Sequence, residues 1–262
     1  ALSAFLATIR FQPNPNRTFT DGLPASVPGF SGNPANGKVL FETAPIMNGS
    51  VTCTTCHSQP SGAGTTILSA NVIQESQALD VPQLRDLYKK TGLSFSSLTN
   101  NRGYGFTHDG SADSIFTYLQ RPQFTFPAGA AGDAQRRDLE AFLMAFPTDT
   151  HPAIGTQLTV NGSNDNSPAT VNLLSSMITL ADAGSVAVVA KGRVGGLSRG
   201  YTYVAGTGNF QSDRLSETVS TVALRQMGAA GGDASGLASK LSGLNLPTTL
   251  PMAMAKTAGV RA

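Results

Sequence analysis

Two cysteines and a histidine lie within five residues of one another in the segment SVTCTTCHSQP, residues 50–60. They are Cys53, Cys56 and His57, and the chain of 262 residues has no other cysteine. A Cys-x-x-Cys pair serves as a dithiol redox couple, as half of a zinc site or as the attachment point of a c-type haem. The neighbouring sequence discriminates between these three chemistries.

The residues around the pair favour haem attachment. A zinc site needs a second ligand pair at short spacing, and the other histidines, His108 and His151, are isolated and far downstream. A thioredoxin-type couple follows a strand, and no strand pattern precedes the motif. Two thioether bonds and an adjacent imidazole, in contrast, use all three residues. The motif predicts one covalently bound haem c, with His57 as the proximal iron ligand.

Helices on both sides of the motif are expected to position it. Asn33 as N-cap and Pro34 at the first position predict a helix in GNPANGKVLFET, before the motif. The segment GDAQRRDLEAFLMAFP predicts a last helix, with Asp133 as its N-cap. We expect these two helices to cross and clamp the haem edge. The last helix carries an apolar stripe formed by Leu139, Phe142, Leu143 and Phe146.

Two further helices are expected between them. DVPQLRDLYKKTG, residues 80–92, predicts a helix with Leu84, Leu87 and Tyr88 on one face. SADSIFTYLQRP predicts a shorter helix that ends before Pro122. Together these elements make residues 31–150 a mainly helical domain.

Residues 31–150 resemble a class I cytochrome c domain. The resemblance is carried by GKVLF, CTTCH, VPQLRDLY, GFTHDGSADSIFTYL and RRDLEAFLMAF. The segments VPQLRDLY and GFTHDGSADSIFTYL are similar to the C-terminal haem domain of bacterial di-haem cytochrome c peroxidases, where a VPxLR helix and an FxHxGS turn precede the loop of the distal ligand. The resemblance covers under half of the chain, and only one haem-attachment motif is present.

The loop before the last helix departs from this family pattern. Cytochromes of this kind usually bring a methionine from that loop to the second axial position of the iron. Here the loop reads QRPQFTFPAGAAG and contains no Met, His or Lys. Phe124 and Phe126 stand there instead, and two interpretations remain: they pack against the haem, or they leave the iron five-coordinate and open to a small ligand.

Several residues remain as candidates for the sixth ligand. His108 would give bis-histidine ligation, and the alternative that the resemblance implies is a hydrogen bond near a haem propionate. Met144 lies in the last helix, where core packing is the alternative. Met47 lies too close before Cys53 to reach the opposite face comfortably. The last three candidates lie later in the chain. His151 is interpreted as a boundary residue, and Met252 and Met254 reach the iron only if the tail folds back.

Beyond the linker PTDTHPAIG, residues 151–230 predict a small module of helices and a hairpin. TQLTV predicts a strand, SVAVVAKGRV and GLSRGYTYVAG a hairpin, and DRLSETVSTVALRQMG a helix. SPATVNLLSSMITLADAG predicts a helix whose apolar stripe is Val171, Leu174, Ile178 and Ala181. A basic cluster on the hairpin is interpreted as a solvated face; its members are Lys191, Arg193 and Arg199. The fold class expected for the whole chain is α+β.

The two ends of the chain have less regular patterns. Residues 1–30 suggest the end of a helix followed by a Pro-rich linker, so we expect the numbering to begin partway through a longer polypeptide or after processing. Residues 231–262 are predicted to be a low-complexity tail.

Composition and charge bear on partners and location. With 13% charged residues and a formal net charge of +2, the chain has no basic field that would gather nucleic acid. Its apolar runs, such as SVAVVA, are far shorter than the roughly 18 residues of a membrane span. Haem is attached covalently after export in bacteria, so we expect a periplasmic or extracellular location.

The expected function is that of a mono-haem c-type cytochrome that exchanges electrons with a redox partner protein, alone or in a larger secreted assembly. One alternative is a peroxidase or oxygen-activating enzyme with an open distal site, where His108 or Glu140 would act as acid or base. The other is a structural haem protein that forms filaments or homo-oligomers.

Overall fold

The structure is a computed structural model that describes residues 2–6, 8–100, 103–194, 197–214, 216–229 and 250–255. The chain divides into two units, Ala1–Pro152 and Ala153–Ala262. Helices dominate the first unit: α1 (Leu2–Leu6), α2 (Pro34–Thr43), α3 (Cys53–Cys56), α4 (Ala70–Ile73), α5 (Ile115–Tyr118) and α6 (Ala130–Met144). It also has a 3-10 helix at Leu87–Lys90 and an antiparallel pair of strands, β1 (Ile67–Leu68) and β2 (Leu79–Asp80).

Local sequence signals define the start of α2. The side chain of Asn33 accepts hydrogen bonds from the backbone N–H groups of Ala35 and Asn36, and Pro34 occupies the first turn. The predicted cap is therefore confirmed. Helix α6 forms in the predicted segment, but its predicted N-cap is wrong, because the helix begins one turn earlier, after Gly129. Asp133 lies in the first turn instead, where a carboxylate suits the positive end of the helix dipole.

Helices α2 and α6 pack at very short range, in agreement with the predicted crossing. A Cβ atom at Gly37 would lie 1.9 Å from the carbonyl oxygen of Asp138, so only glycine fits there. Three aromatic rings fill the contact beside it. The ring centroids of Phe41 and Phe142 are 5.3 Å apart, and the ring of Phe146 lies 5.9 Å from that of Phe41.

The helix predicted over residues 80–92 is wrong except for the 3-10 turn at its end. The backbone N–H groups of Val81 and Leu84 donate to the carbonyls of Thr66 and Ser61, at 3.2 Å each, and not to a helical neighbour. Asp86 then adopts a φ of 66°, which interrupts a helix. Leu84 remains buried, as the apolar pattern predicted.

Part of the Pro-rich segment predicted as a linker packs against the first unit. The buried amide of Asn14 donates to the carbonyl oxygens of Met144 (2.9 Å) and Phe146 (2.8 Å). Arg17 donates to the carbonyl oxygen of Ala145 at 3.0 Å. These bonds satisfy carbonyl groups that the end of α6 leaves without a helical partner.

The second unit is built on a six-stranded antiparallel sheet, so the predicted α+β class is confirmed for the described chain. The strand order is β3-β8-β4-β5-β6-β7. The strands are β3 (Gln157–Val160), β4 (Ala187–Val194), β5 (Leu197–Val204), β6 (Asn209–Ser212), β7 (Thr218–Ser220) and β8 (Leu250–Ala255), and the helices are α7 (Pro168–Asp182) and α8 (Thr221–Ala229). Within the described residues, no helix has the length and apolar character that crossing a membrane requires.

Several predictions for the second unit need correction. The buried face of α7 includes Leu174, Met177 and Ala181, whereas Val171 is exposed. Residues 218–220, predicted as helix, pair with β6, so α8 begins only at Thr221. Part of the predicted tail forms β8, which carries Met252 and Met254 and pairs with β3 and β4. The rest of that tail, residues 231–249 and 256–262, lies outside the described residues, as do Gly195 and Gly196, which are predicted to join the two strands of the hairpin.

Arg199 also differs from its predicted solvated position. Its side chain is 3% exposed and forms ion pairs with Asp213 at 2.7 Å and Glu217 at 2.5 Å. Both acids come from the segment after β5. The prediction considered only the charges along β4 and β5, so it did not include the residues that neutralise Arg199. Lys191 is exposed, as predicted.

Candidate functional site

The Cys-x-x-Cys-His segment forms one short helical turn. Cys53–Cys56 is α3, and the backbone N–H of His57 donates to the carbonyl oxygen of Cys53 at 2.9 Å. Both cysteines are free thiols and are half-buried. The two thiols and the imidazole line the same cavity, so the turn presents all three predicted groups to one space.

A backbone carbonyl orients the imidazole of His57. Its Nδ1 lies 2.6 Å from the carbonyl oxygen of Gly62. Because a carbonyl only accepts, Nδ1 carries the proton, and in the neutral ring Nε2 is the unprotonated nitrogen. Burial lowers the pKa of His57, which favours the neutral ring. Histidines that bind metals typically donate their other ring N–H to such a partner.

Glycine is required in the loop that supplies this carbonyl. Gly62 has a φ of 68°, and a Cβ atom there would lie 2.7 Å from the Cβ of Leu84. At Gly64 a Cβ atom would lie 2.4 Å from the carbonyl oxygen of Cys56. The loop therefore packs closely between the motif turn and the segment that contains Leu84.

The cavity is largely apolar and has a volume of about 400 Å³, within the range of roughly 300–1,000 Å³ that small-molecule sites occupy. Phe41, Leu139 and Leu143 reach it from the crossing of α2 and α6. A few polar side chains also line it, among them Glu75, Asp80, Lys90 and His108. A largely apolar ligand with a polar edge matches this lining.

The thiol of Cys53 does not have the lowered pKa of a redox dithiol. Burial is the main cause that raises the pKa of Cys53 to about 11. Catalytic dithiols have lowered thiol pKa values, because the thiolate is the reactive form. The raised pKa of Cys53 therefore argues against a redox dithiol.

The cysteines also lack the neighbours of a zinc site. Within the described part of the chain, one group of His, Cys, Asp and Glu side chains lies close enough to share a metal ion. It consists of Glu75, His108 and Asp109, with ligand atoms within 4.8 Å of one another, and it contains neither cysteine. Structural zinc requires four ligands, so a zinc site at Cys53 and Cys56 has no support among the described residues.

His108 reaches the cavity from an exposed turn. It lines the cavity but its side chain is exposed, and Asp109 beside it accepts hydrogen bonds from Thr107 at 2.6 Å and from the N–H of Ser111 at 3.0 Å. Glu75 in the same group pairs with Arg121. His108 is thus a residue of a polar, charged part of the lining.

The two predicted phenylalanines have different environments. Phe124 lines the cavity, and its ring centroid lies 5.1 Å from that of Tyr118, which also lines the cavity. Phe126 is not among the described lining residues, and the guanidinium of Arg136 lies 4.6 Å from its ring centroid. Burial raises the pKa of the Tyr118 phenol, which therefore stays protonated.

Two other candidates from the sequence are not brought to the cavity in the described structure. Met144 is fully buried near the end of α6 but does not line the cavity. Glu140 is 3% exposed, accepts a hydrogen bond from the N–H of Phe116 at 3.0 Å and pairs with Arg137 at 3.1 Å. Met144 is thus part of the buried core, and Glu140 is held by its hydrogen bond and its ion pair. His151 is half-buried near the boundary of the first unit.

Sequence reasoning undervalued Met47, which lines the cavity together with His57. The backbone turns sharply after it, because Asn48 and Gly49 have φ values of 50° and 66°, and Met47 pairs with Val51 across this turn. Asn-Gly is the strongest short signal for such a turn, so the sequence did indicate the turn itself, although not that Met47 lines the cavity.

These observations describe a site with two free thiols, one oriented imidazole and an apolar cavity between elements of a single unit. Comparisons of the chain with models of known protein families, with curated proteins and with solved structures each found no match.

Proposed function

We propose that the first unit is a cytochrome c domain that holds one haem c, and that the protein transfers electrons. The observation that carries the proposal is the orientation of His57 by the carbonyl of Gly62, in a cavity that both free thiols also line. The residues fit the group, since a c-type haem needs two thiols, one imidazole and an apolar shell. When bound, haem supplies reversible one-electron chemistry at its iron.

Each residue of the motif has a distinct role in this proposal. The thiols of Cys53 and Cys56 would hold the haem through thioether bonds to its two vinyl groups. Nε2 of His57 would bind the iron, while its Nδ1–H stays on the Gly62 carbonyl and fixes the ring orientation. The apolar lining, including Phe41 and Leu139, excludes water and so influences the reduction potential.

Export and a protein partner belong to the same proposal. Covalent haem attachment outside the cytoplasm places the protein in the periplasm or the extracellular space. A mono-haem carrier passes its electron to another protein, alone or within a larger assembly.

Co-expression with a haem c maturation system tests the attachment. Wild-type protein should keep its haem after denaturation and give the pyridine haemochrome spectrum of a doubly attached haem. Replacing both Cys53→Ser and Cys56→Ser should abolish covalent haem, because both bonds are lost. Thr55→Ser in the same turn is the matched control and should retain it. Haem that stays with the denatured double variant would overturn the proposal.

The enzymatic alternative is favoured by one observation only, the presence of His108 in the cavity lining. A peroxidase or oxygen-activating site needs an open iron position beside an acid or base. A ferrous state that is high-spin and binds CO rapidly would support that alternative. Homogeneous filaments in electron micrographs of the pure protein would support the structural alternative instead.

A further inference from the structure

We propose that Met47 is the second axial ligand of the haem iron. The inference rests on the proposed function, because it assigns a residue to the haem that the first unit is proposed to hold. It starts from an observation about side chains: Met47 and His57 line one cavity, although the loop before α6 contains no Met, His or Lys.

Met47 differs from the other methionines in its position. The structure describes four methionine side chains, those of Met47, Met144, Met177 and Met227. Of these, Met47 alone lines the cavity, while Met144 is buried away from it. Met177 and Met227 belong to the buried core of the second unit.

The backbone holds Met47 beside the loop that leads to α6. The N–H of Thr125 donates to the carbonyl of Ile46 at 2.7 Å, and the N–H of Asn48 donates to that of Gln123 at 2.9 Å. Met47 thereby forms a bridge with Phe124, which also lines the cavity. A second pair of bonds with Val51, at 3.0 and 3.1 Å, closes the turn on its other side.

His57 belongs to a different part of the lining. Its Nδ1 is bound to Gly62, and the 61–66 loop is in turn bound to Val81 and Leu84. Met47 is tied instead to residues 123–125, and the buried amide of Gln123 donates to the carbonyl of Ile73 at 3.0 Å. Two separately supported segments therefore each supply one iron-binding side chain to the cavity.

The other donors in the lining are less suited to bind iron. Lys90 is exposed, and an ammonium group must lose its proton before it can bind a metal. His108 is exposed and lies with Asp109 and Glu75, and Glu75 is paired with Arg121. The Tyr118 phenol stays protonated, as described above. Met47 is half-buried and offers a neutral, soft sulfur on a side chain that adapts its conformation easily.

The experiment compares axial ligation in wild-type protein, Met47→Leu and Met47→His, each loaded with haem in cells. Wild-type ferric protein should show the weak red charge-transfer band of histidine–methionine ligation. Met47→Leu keeps the apolar volume but removes the sulfur, so it should keep covalent haem, lose that band and bind CO rapidly in the ferrous state. Met47→His should restore a low-spin spectrum, now with bis-histidine anisotropy in paramagnetic resonance and a lower reduction potential.

Two control variants separate Met47 from its competitors. Met144→Leu removes a buried methionine away from the cavity, and His108→Ala removes the exposed imidazole; both should leave the wild-type band in place. In wild-type ferrous protein, proton NMR should show the strongly shifted methyl signal of a bound methionine, assigned to residue 47 through Asn48. This last measurement needs no variant to fold.

The outcomes separate the two proposals. Wild-type protein without covalent haem would overturn the proposed function and the Met47 assignment together. Wild-type protein with covalent haem would overturn the assignment alone if its iron is five-coordinate or bis-histidine. So would a methionine band that persists in Met47→Leu, or an NMR methyl signal that belongs to another methionine.

Discussion

The imidazole of His57 and the thiol of Cys53 are close in sequence, but the surrounding protein affects them differently. A carbonyl group holds the imidazole in one tautomer, with the proton on Nδ1. Burial disfavours the thiolate of Cys53 and raises its pKa. The imidazole thus has a defined protonation pattern, whereas the Cys53 thiol is a poor nucleophile at neutral pH.

The protonation of Cys53 can be tested in haem-free protein. In the variant Cys56→Ser, Cys53 is the single thiol, and its alkylation rate should reach half its maximum near pH 11, because the thiolate is the reacting form. The same protein unfolded in urea should have its midpoint near the ordinary value of 9.0. A midpoint below 9.0 in the folded protein would instead support a redox dithiol.

The carbonyl partner of His57 depends on Gly62. Gly62→Ala introduces two costs: an αL-type strain of roughly 1–2 kcal/mol and a steric overlap with Leu84 that adds about 1–3 kcal/mol. Gly29 is the matched control, since its φ is 83° and a Cβ atom there would have no neighbour within 4 Å. Urea unfolding should show a larger loss of stability for Gly62→Ala than for Gly29→Ala. Equal losses would mean that the loop moves freely away from Leu84.

At the scale of elements, the contact between α2 and α6 organises the first unit. The two helices meet at Gly37, and Phe41 and Phe142 fill the adjacent space at a centroid distance of 5.3 Å. Phe41 also lines the cavity, with its ring centroid 6.3 Å from that of His57. A displacement of α2 therefore changes the cavity as well as the helix contact.

Gly37→Ala tests this contact directly. Alanine favours the helix by about 1 kcal/mol over glycine, so an isolated α2 would become more stable. In the protein the new Cβ would overlap the backbone of Asp138, and we expect a net loss of about 3 kcal/mol or more in the free energy of unfolding. Asn36→Ala, on the exposed side of α2, is the control and should change stability by less than about 0.5 kcal/mol. A stabilised Gly37→Ala variant would contradict the close packing.

At the scale of the whole molecule, the proposed chemistry is confined to one of two units. The described residues that line the cavity all belong to Ala1–Pro152. The Pro-rich segment around Asn14 forms hydrogen bonds to the end of α6 in the same unit. The second unit has its own sheet and its own buried core, which includes Met177, Val188 and Phe210. Each unit thus contains the packing that a domain requires.

Expression of residues 1–152 alone tests whether the first unit is self-sufficient. The cavity, the contact between α2 and α6 and the Pro-rich segment around Asn14 all lie within these residues. This fragment should therefore acquire covalent haem with the same absorption spectrum and reduction potential as the full chain. A second fragment, residues 23–152, lacks the bonds from Asn14 and Arg17 to the end of α6 and should unfold at a lower temperature. A 1–152 fragment that aggregates without haem would show that the first unit requires the rest of the chain.

The sequence by itself determined the features that depend on neighbouring residues. Asn33 and Pro34 define the start of α2, because capping requires only a side-chain oxygen and the next turn of backbone. The apolar pattern identified Leu84 and Leu139 as buried. The spacing of Cys53, Cys56 and His57 named the residues of the proposed chemistry, since one helical turn brings them together.

The tertiary structure decided the features that depend on distant backbone partners. The 61–66 loop takes the N–H groups of Val81 and Leu84, so a helical pattern does not become a helix there. Strand β8 forms from a segment without a strand pattern, because β3 and β4 offer it partners on both sides. Met47 reaches the cavity through bonds to residues 123–125, which lie more than seventy positions away along the chain. Local sequence patterns carry no information about such partners, so these placements become visible only in the folded chain.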